Sequence, residues 1–263
     1  MRGLRLSFGL LTVIPVGAIG DVDRRLARNA ILLAPLVGLV LGSLAALVVA
    51  VVHALAPSAL GALLAAVLAV ALLAYLTRAL HLDGLADTAD ALGSGKPAHA
   101  ALEIARRGDV GPFGVVTLVL VLLVQVTALA VATEAGEDAI AVVIAVVTGR
   151  VAIVIACARG IPAARPEGLG ALVAGTVPKS AAIAWVLVSV GAAGTASAWL
   201  AGTWIVGAVA VIAGLGVCLL VVARAVRRLG GITGDVLGAA AELSATTALL
   251  LMATLTYASA LTS

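Results

Sequence analysis

The segment Arg78-Ala-Leu-His81-Leu-Asp83-Gly-Leu-Ala-Asp87-Thr-Ala-Asp90 carries acids at i, i+4 and i+7. At about 100° per residue, a helix brings all three within about 60° of one another. Like charges spaced i, i+4 destabilise a helix, and no lysine or arginine is interleaved with these. The pattern asks for an external cation. Carboxylate oxygens suit Mg²⁺, whose shell a diphosphate can complete, so Asp83, Asp87 and Asp90 are the candidate metal and catalytic carboxylates. The plain alternative is a solvated helix face. His81 points away from the stripe if the helix is continuous, which leaves it a general base or a helix-end group.

Two more polar blocks could join this site. In Glu103-Ile-Ala-Arg106-Arg107-Gly-Asp109-Val-Gly111-Pro112-Phe-Gly114, the first acid and both arginines share one helix face. Arg106 could grip a phosphate bidentately or simply anchor the following apolar run; Asp109 would lie toward an acceptor or a second metal. The other block runs Arg227-Arg228-Leu-Gly230-Gly231-Ile-Thr233-Gly234-Asp235 and on to Glu242. Arg228, Gly230, Gly231 and Thr233 could hold phosphate oxygens, with Thr233 also capping the next helix. Asp235 and Glu242, at i and i+7 across Gly238 and Ala239, could close the acceptor or second-metal side; a loop and cap is the alternative. Arg150 lies inside an apolar run and should face the bundle, paired with an acid or a phosphate. Glu167-Gly168-Leu169-Gly170, near Lys179, means little alone.

These groups must be positioned by a very apolar chain. Of 263 residues, 63% are apolar and only 11% charged, with a mean hydropathy of +1.25. A soluble domain carries about 25% charged residues, so a water-soluble domain, a disordered chain and a nucleic-acid-binding module are excluded. An all-α polytopic membrane bundle remains. Seven apolar runs of transmembrane length occur at about 30–56, 59–79, 113–133, 139–158, 181–200, 203–223 and 243–261. Residues 1–29 read as an amphipathic interfacial segment rather than a signal peptide. The polar segments 80–112, 159–180 and 224–242 are expected as active-site loops of one domain spanning 1–263.

With the N-terminus in the cytoplasm, all 16 basic residues fall on the inner side. Glu134, Glu137 and Asp138 fall outside, and the other ten acids inside. The expected location is the cell (inner) membrane with the site facing the cytoplasm. Gly38 and Gly42 have the spacing of a close helix contact. Cys157 and Cys218, each alone in an apolar run, are expected to pack, with no disulfide and no metal.

His81-Leu-Asp83-Gly84-Leu85-Ala86-Asp87-Thr88-Ala-Asp90 resembles the motif of the cobalamin synthase family (adenosylcobinamide-GDP ribazoletransferase). Glu167-Gly-Leu-Gly170, Gly230-Gly231-Ile-Thr233-Gly234-Asp235-Val-Leu-Gly238-Ala followed by Glu242, and Thr12-Val-Ile-Pro15 with Pro35-Leu-Val-Gly38 agree in order and spacing. One block departs: many members carry Arg-Asp-Ser-Arg before Gly-x-x-Gly, where this chain has Arg106-Arg107-Gly108-Asp109 before Gly111-Pro-Phe-Gly114. The resemblance implies transfer of the adenosylcobinamide-phosphate moiety from adenosylcobinamide-GDP to α-ribazole or its 5′-phosphate, releasing GMP. It implies Mg²⁺ on Asp83, Asp87 and Asp90, phosphate contacts from Arg106, Arg150 and Arg228, and the acceptor or metal side closed by Asp235 and Glu242. Other membrane enzymes of corrinoid assembly are a conceivable partner class; nucleic acid is not. A CDP-alcohol phosphotransferase or an aspartate-rich prenyltransferase is the alternative enzyme class. A cation or proton transporter is more distant, because such proteins place ionisable groups near the midplane and Arg150 alone interrupts the apolar runs.

Overall fold

The computed structural model of the protein describes residues 1–136, 138–202 and 204–260. Seven of its helices are long and apolar enough to cross a membrane: α3 (Ala34–Leu55), α4 (Ala59–Leu76), α7 (Pro112–Glu134), α8 (Asp138–Ala156), α10 (Lys179–Ala201), α11 (Ile205–Leu229) and α12 (Gly234–Ala260). Five shorter helices are α1 (Arg2–Leu11), α2 (Arg24–Leu32), α5 (Leu80–Gly93), α6 (Ala98–Ile104) and α9 (Gly168–Val173). All five precede α3 or fall in the longer connections, which lie at one end of the bundle. Cross-links between them fix that end: Arg24 donates to the Ala171 and Ala174 carbonyls, Arg165 to Leu102 and Arg228 to Lys96. Glu137, expected on the opposite face, and Leu261, the last residue of the final apolar run, lie outside the described residues.

α12 and α8 form the centre, with α12 also packed on α5, α7 and α11, and α8 on α3. Between lipid-facing helices the hydrophobic drive is weak, and close backbone approach through small residues holds them together. A Cβ on Gly42 would lie 2.9 Å from the Val143 Cα, and one on Gly149 2.7 Å from the Ala241 carbonyl. The Gly38 and Gly42 pair is thus the α3 face that α8 occupies. Cys157 and Cys218 are free and buried.

Helix boundaries differ from the apolar runs where polar residues continue a helix. The first run splits at Leu33, because Pro35 sits at the start of a new helix, where its missing N–H costs nothing. α11 continues through Arg224, Arg227 and Arg228, burying Ala225 and Leu229 on one side while the arginines reach outward. α12 begins at Gly234, nine residues before the apolar run at 243. The expected loop 224–242 is therefore only Gly230–Thr233, and Asp235 and Glu242 belong to a spanning helix. The amphipathic N-terminal segment is two helices. Arg2 and Arg5 hold the connecting chain through the Ile19 and Val16 carbonyls, and Leu6, Ser7 and Leu11 of α1 are buried.

Candidate active site

The site begins at a corner. After α4, Arg78 and Ala79 adopt left-handed φ values of 55° and 52°, a conformation that costs L-residues about 1–2 kcal/mol each. The corner redirects the chain into α5, which packs on α12. Two glycines make this contact possible. A Cβ on Gly84 would lie 2.7 Å from the Asp235 carbonyl, and one on Gly238 3.1 Å from the His81 Cα. That approach sets Asp83 and Asp235 on the wall of one cavity of about 280 Å³, together with His81, Arg165, Glu167 and Thr233.

The three carboxylates of the α5 stripe meet different surroundings. Asp83 is exposed, Asp87 half-buried, and Asp90 only 6% exposed. Asp90 accepts the Gly111 N–H at 2.7 Å and the Gly114 N–H at 3.0 Å, one on each carboxylate oxygen. These are orphan amides at the start of α7, whose dipole favours an anion there. A Cβ on either glycine would collide with the Asp90 carboxylate. Asp87 is pushed up to about 6, first by burial, then by the charges of Asp83, Asp235 and Asp90, against the pull of Arg165. Among the described residues, no group of three or more His, Cys, Asp or Glu could hold a metal ion by itself. The expected cage of Asp83, Asp87 and Asp90 is therefore not preformed, because Asp90 is spent on α7.

Thr233 caps α12 as its position suggested. Its hydroxyl oxygen accepts the Val236 N–H at 3.2 Å and its O–H donates to Asp235 Oδ2 at 3.1 Å. His81 is 3% exposed and its Nδ1 has no partner; burial, then the Arg150 charge, hold it well below the usual imidazole range.

A sequence model of the family described as cobalamin-5-phosphate synthase matches residues 3–253. Three relatives named adenosylcobinamide-GDP ribazoletransferase are similar over nearly their whole lengths. The Frankia casuarinae protein is 42% identical over 96% of this chain and 95% of its own. The Nocardioides protein is 41% identical over 94% and 96%, and the Stutzerimonas stutzeri protein 38% over 92% and 94%. The chain belongs to the cobalamin-5-phosphate synthase family. No solved structure matches it.

In this synthase-family protein several expected site residues lie elsewhere. Gly230, at φ 83°, ends α11 with its N–H on the Val226 carbonyl at 3.1 Å. A Cβ on Gly231 would strike the backbone of Pro162–Ala164. These glycines therefore serve a close junction, in which Ala164 N–H donates to Ile232 and Ile232 N–H to Pro162, and Gly230 does not offer its amide to a phosphate. Arg106 is paired with Glu167 at 2.6 Å, both largely exposed. Arg228 reaches the Lys96 carbonyl at 3.4 Å, and Asp109 is exposed; none of the three lines the cavity.

Arg150 and Glu242 line a second, smaller space of about 50 Å³, deeper in the bundle, with Gln125 and Thr77. Gln125 Nε2 donates to Glu242 Oε2 and to Thr246 Oγ1, both at 2.9 Å. Glu242 thus lies inside a span, correcting the expectation that Arg150 alone interrupts them. Seven residues along α12 carry it about 10 Å from Asp235, into a different cavity.

Sequence reasoning missed two residues here. Arg165 counted only toward the charge asymmetry, yet its position beside the Ala163–Ile232 bridge brings it to Asp87 and Asp235; its signal was adjacency to Glu167-Gly-Leu-Gly170. Gln125 was a lone amide in an apolar run, itself a functional pointer in a membrane helix.

Proposed function

We propose that the protein transfers the adenosylcobinamide-phosphate moiety of adenosylcobinamide-GDP to a ribose hydroxyl of α-ribazole or its 5′-phosphate. A bond forms between that oxygen and the phosphorus on the cobinamide arm; the diphosphate bridge breaks and GMP leaves. The observation that carries this reading is the meeting of Asp83, Asp235 and Arg165 at one cavity, with Asp87 within electrostatic reach of all three, in a chain of this family.

Mg²⁺ fits the acids in a specific way. It commonly takes one or two protein carboxylates and fills its shell with phosphates and water. Asp83 and Asp87 supply that pair, and the proton affinity of Asp87 is raised first by burial and then by the charges of Asp83, Asp235 and Asp90. Bound there, Mg²⁺ would neutralise the diphosphate and the charge of the leaving GMP. Arg165 contacts the diphosphate as a fork. Asp235, oriented by the Thr233 hydroxyl, keeps one oxygen for the proton of the attacking ribose hydroxyl. Asp90 holds α5 against α7, and Gln125 ties α7 to α12 through Glu242 and Thr246.

We also place this face in the cytoplasm, in the cell membrane, because the basic residues gather at the end with the short helices. The test is direct. Purified protein in nanodiscs, given adenosylcobinamide-GDP, α-ribazole and Mg²⁺, should release GMP and form the lower-ligand product. No product with any divalent metal overturns the reading.

A further inference from the structure

Part of the cavity lining is apolar. Leu10 and Leu11 of α1, Ala30 and Ile31 of α2, Ile153 of α8 and Leu237 of α12 line it. Two polar atoms among them are orphans: Ser7 Oγ, in a residue 1% exposed, and His81 Nδ1, in a residue 3% exposed. Buried polar atoms without partners are costly and rare, and both residues line this cavity. Something that brings polar atoms to this apolar lining would satisfy them.

Size narrows the occupant. A volume of about 280 Å³ is at the lower end of small-molecule pockets, roughly 300–1,000 Å³. That admits a bicyclic aromatic base with part of its ribose, and excludes a corrin macrocycle. Given the transfer reaction proposed above, on which this step rests, the acceptor is the substrate of matching chemistry. Ribazole is the riboside of a dimethyl-substituted benzimidazole: planar, apolar at its methylated edge, with one ring nitrogen free to accept a hydrogen bond.

We propose that the N-terminal helices α1 and α2 form the acceptor-base pocket. The methylated edge packs on Leu10, Leu11, Ala30 and Ile31. The Ser7 hydroxyl donates to the free ring nitrogen, and His81 Nδ1 meets the ribose, two residues from Asp83. The amphipathic N-terminal segment is then a wall of the active site as well as a surface element.

Binding of labelled α-ribazole and its indole counterpart, in which a carbon replaces the free ring nitrogen, tests this by equilibrium dialysis on the full chain in Mg²⁺-free nanodiscs. Ser7→Ala removes no bond in the free protein, so its Tm should hold. It should weaken α-ribazole about tenfold and leave the indole riboside unchanged. Ala30→Leu fills the apolar end; it should weaken α-ribazole more than tenfold and the riboside of unsubstituted benzimidazole less. Wild-type protein that binds no α-ribazole, or variants that leave both comparisons unchanged, overturn the pocket. Wild-type protein that binds α-ribazole with these dependences but never releases GMP supports the pocket and overturns the transfer reaction.

Discussion

Asp83 and Asp90 stand seven residues apart on one face of α5, yet their surroundings are opposite. Asp83 is exposed and lines a cavity with Asp235 and Arg165. Asp90 is buried, and both of its oxygens are taken by amides at the start of α7. Asp87, between them, feels both neighbours. One end of the stripe is exposed on a cavity wall; the other is a carboxylate hydrogen-bonded to a helix terminus. The same side chain lines a cavity in one case and ties two helices together in the other, and the packing partner of α5 decides which.

Substitutions that neutralise the charge should separate the two ends. Asp83→Asn and Asp87→Asn keep the shape and remove the charge that the proposed Mg²⁺ site would need. Each should lower kcat about 10³-fold, the upper range for loss of one electrostatic group in a site, with an unchanged elution profile and Tm no lower than wild type. Activity within tenfold of wild type in both variants would end the metal assignment. Arg165→Ala removes the one cation facing Asp87 and Asp235, and a drop of about 10²-fold in kcat/KM should follow. Arg106→Ala, at an exposed pair worth about 0–1 kcal/mol, should change turnover less than threefold.

Asp90→Ala should do the reverse. It strands the Gly111 and Gly114 amides, one part-buried and one buried, and loses two hydrogen bonds to a charged group, a cost of about 3–6 kcal/mol. Tm should fall by several degrees, while the Mg²⁺ concentration for half-maximal rate stays as in wild type. A variant with normal Tm and weakened Mg²⁺ dependence would return Asp90 to the metal site.

This contrast also marks what the sequence could reveal. Seven spans, the Thr233 cap and the close contacts at Gly38 and Gly42 were legible, because hydropathy, capping chemistry and small-residue spacing are local. The departure at Arg106-Arg107-Gly108-Asp109 is legible afterwards as well, since those side chains lie outside the cavity. Hidden were the facts that depend on which element lies opposite. Asp90 faces the Gly111–Gly114 amides only because α7 starts there. Glu242 parts from Asp235 because α12 begins at Gly234, where apolarity does not yet mark a helix. Arg165 and Ser7 reach the cavity through a two-residue bridge and a short helix, which no periodicity announces.

The smallest expected effect is a pH slope from Asp87. Its carboxyl is raised to about 6 from an ordinary 3.8, so the folded protein binds this proton more tightly than the unfolded chain. Below pH 3.8 the group is protonated in both states and carries no penalty. As pH rises from there through about 6, the folded state must ionise a half-buried acid beside three others, and stability declines. Without Mg²⁺, Tm in nanodiscs should therefore drop modestly between pH 4 and pH 7. Asp87→Asn should flatten that part of the curve, and Asp90→Asn should flatten it less, because it removes only the last and weakest of the three like charges. Saturating Mg²⁺ should flatten the wild-type curve too, since the cation takes the place of the proton. A wild-type slope that Mg²⁺ leaves untouched would mean the cation does not sit at Asp87, and would limit the active end of the stripe to Asp83.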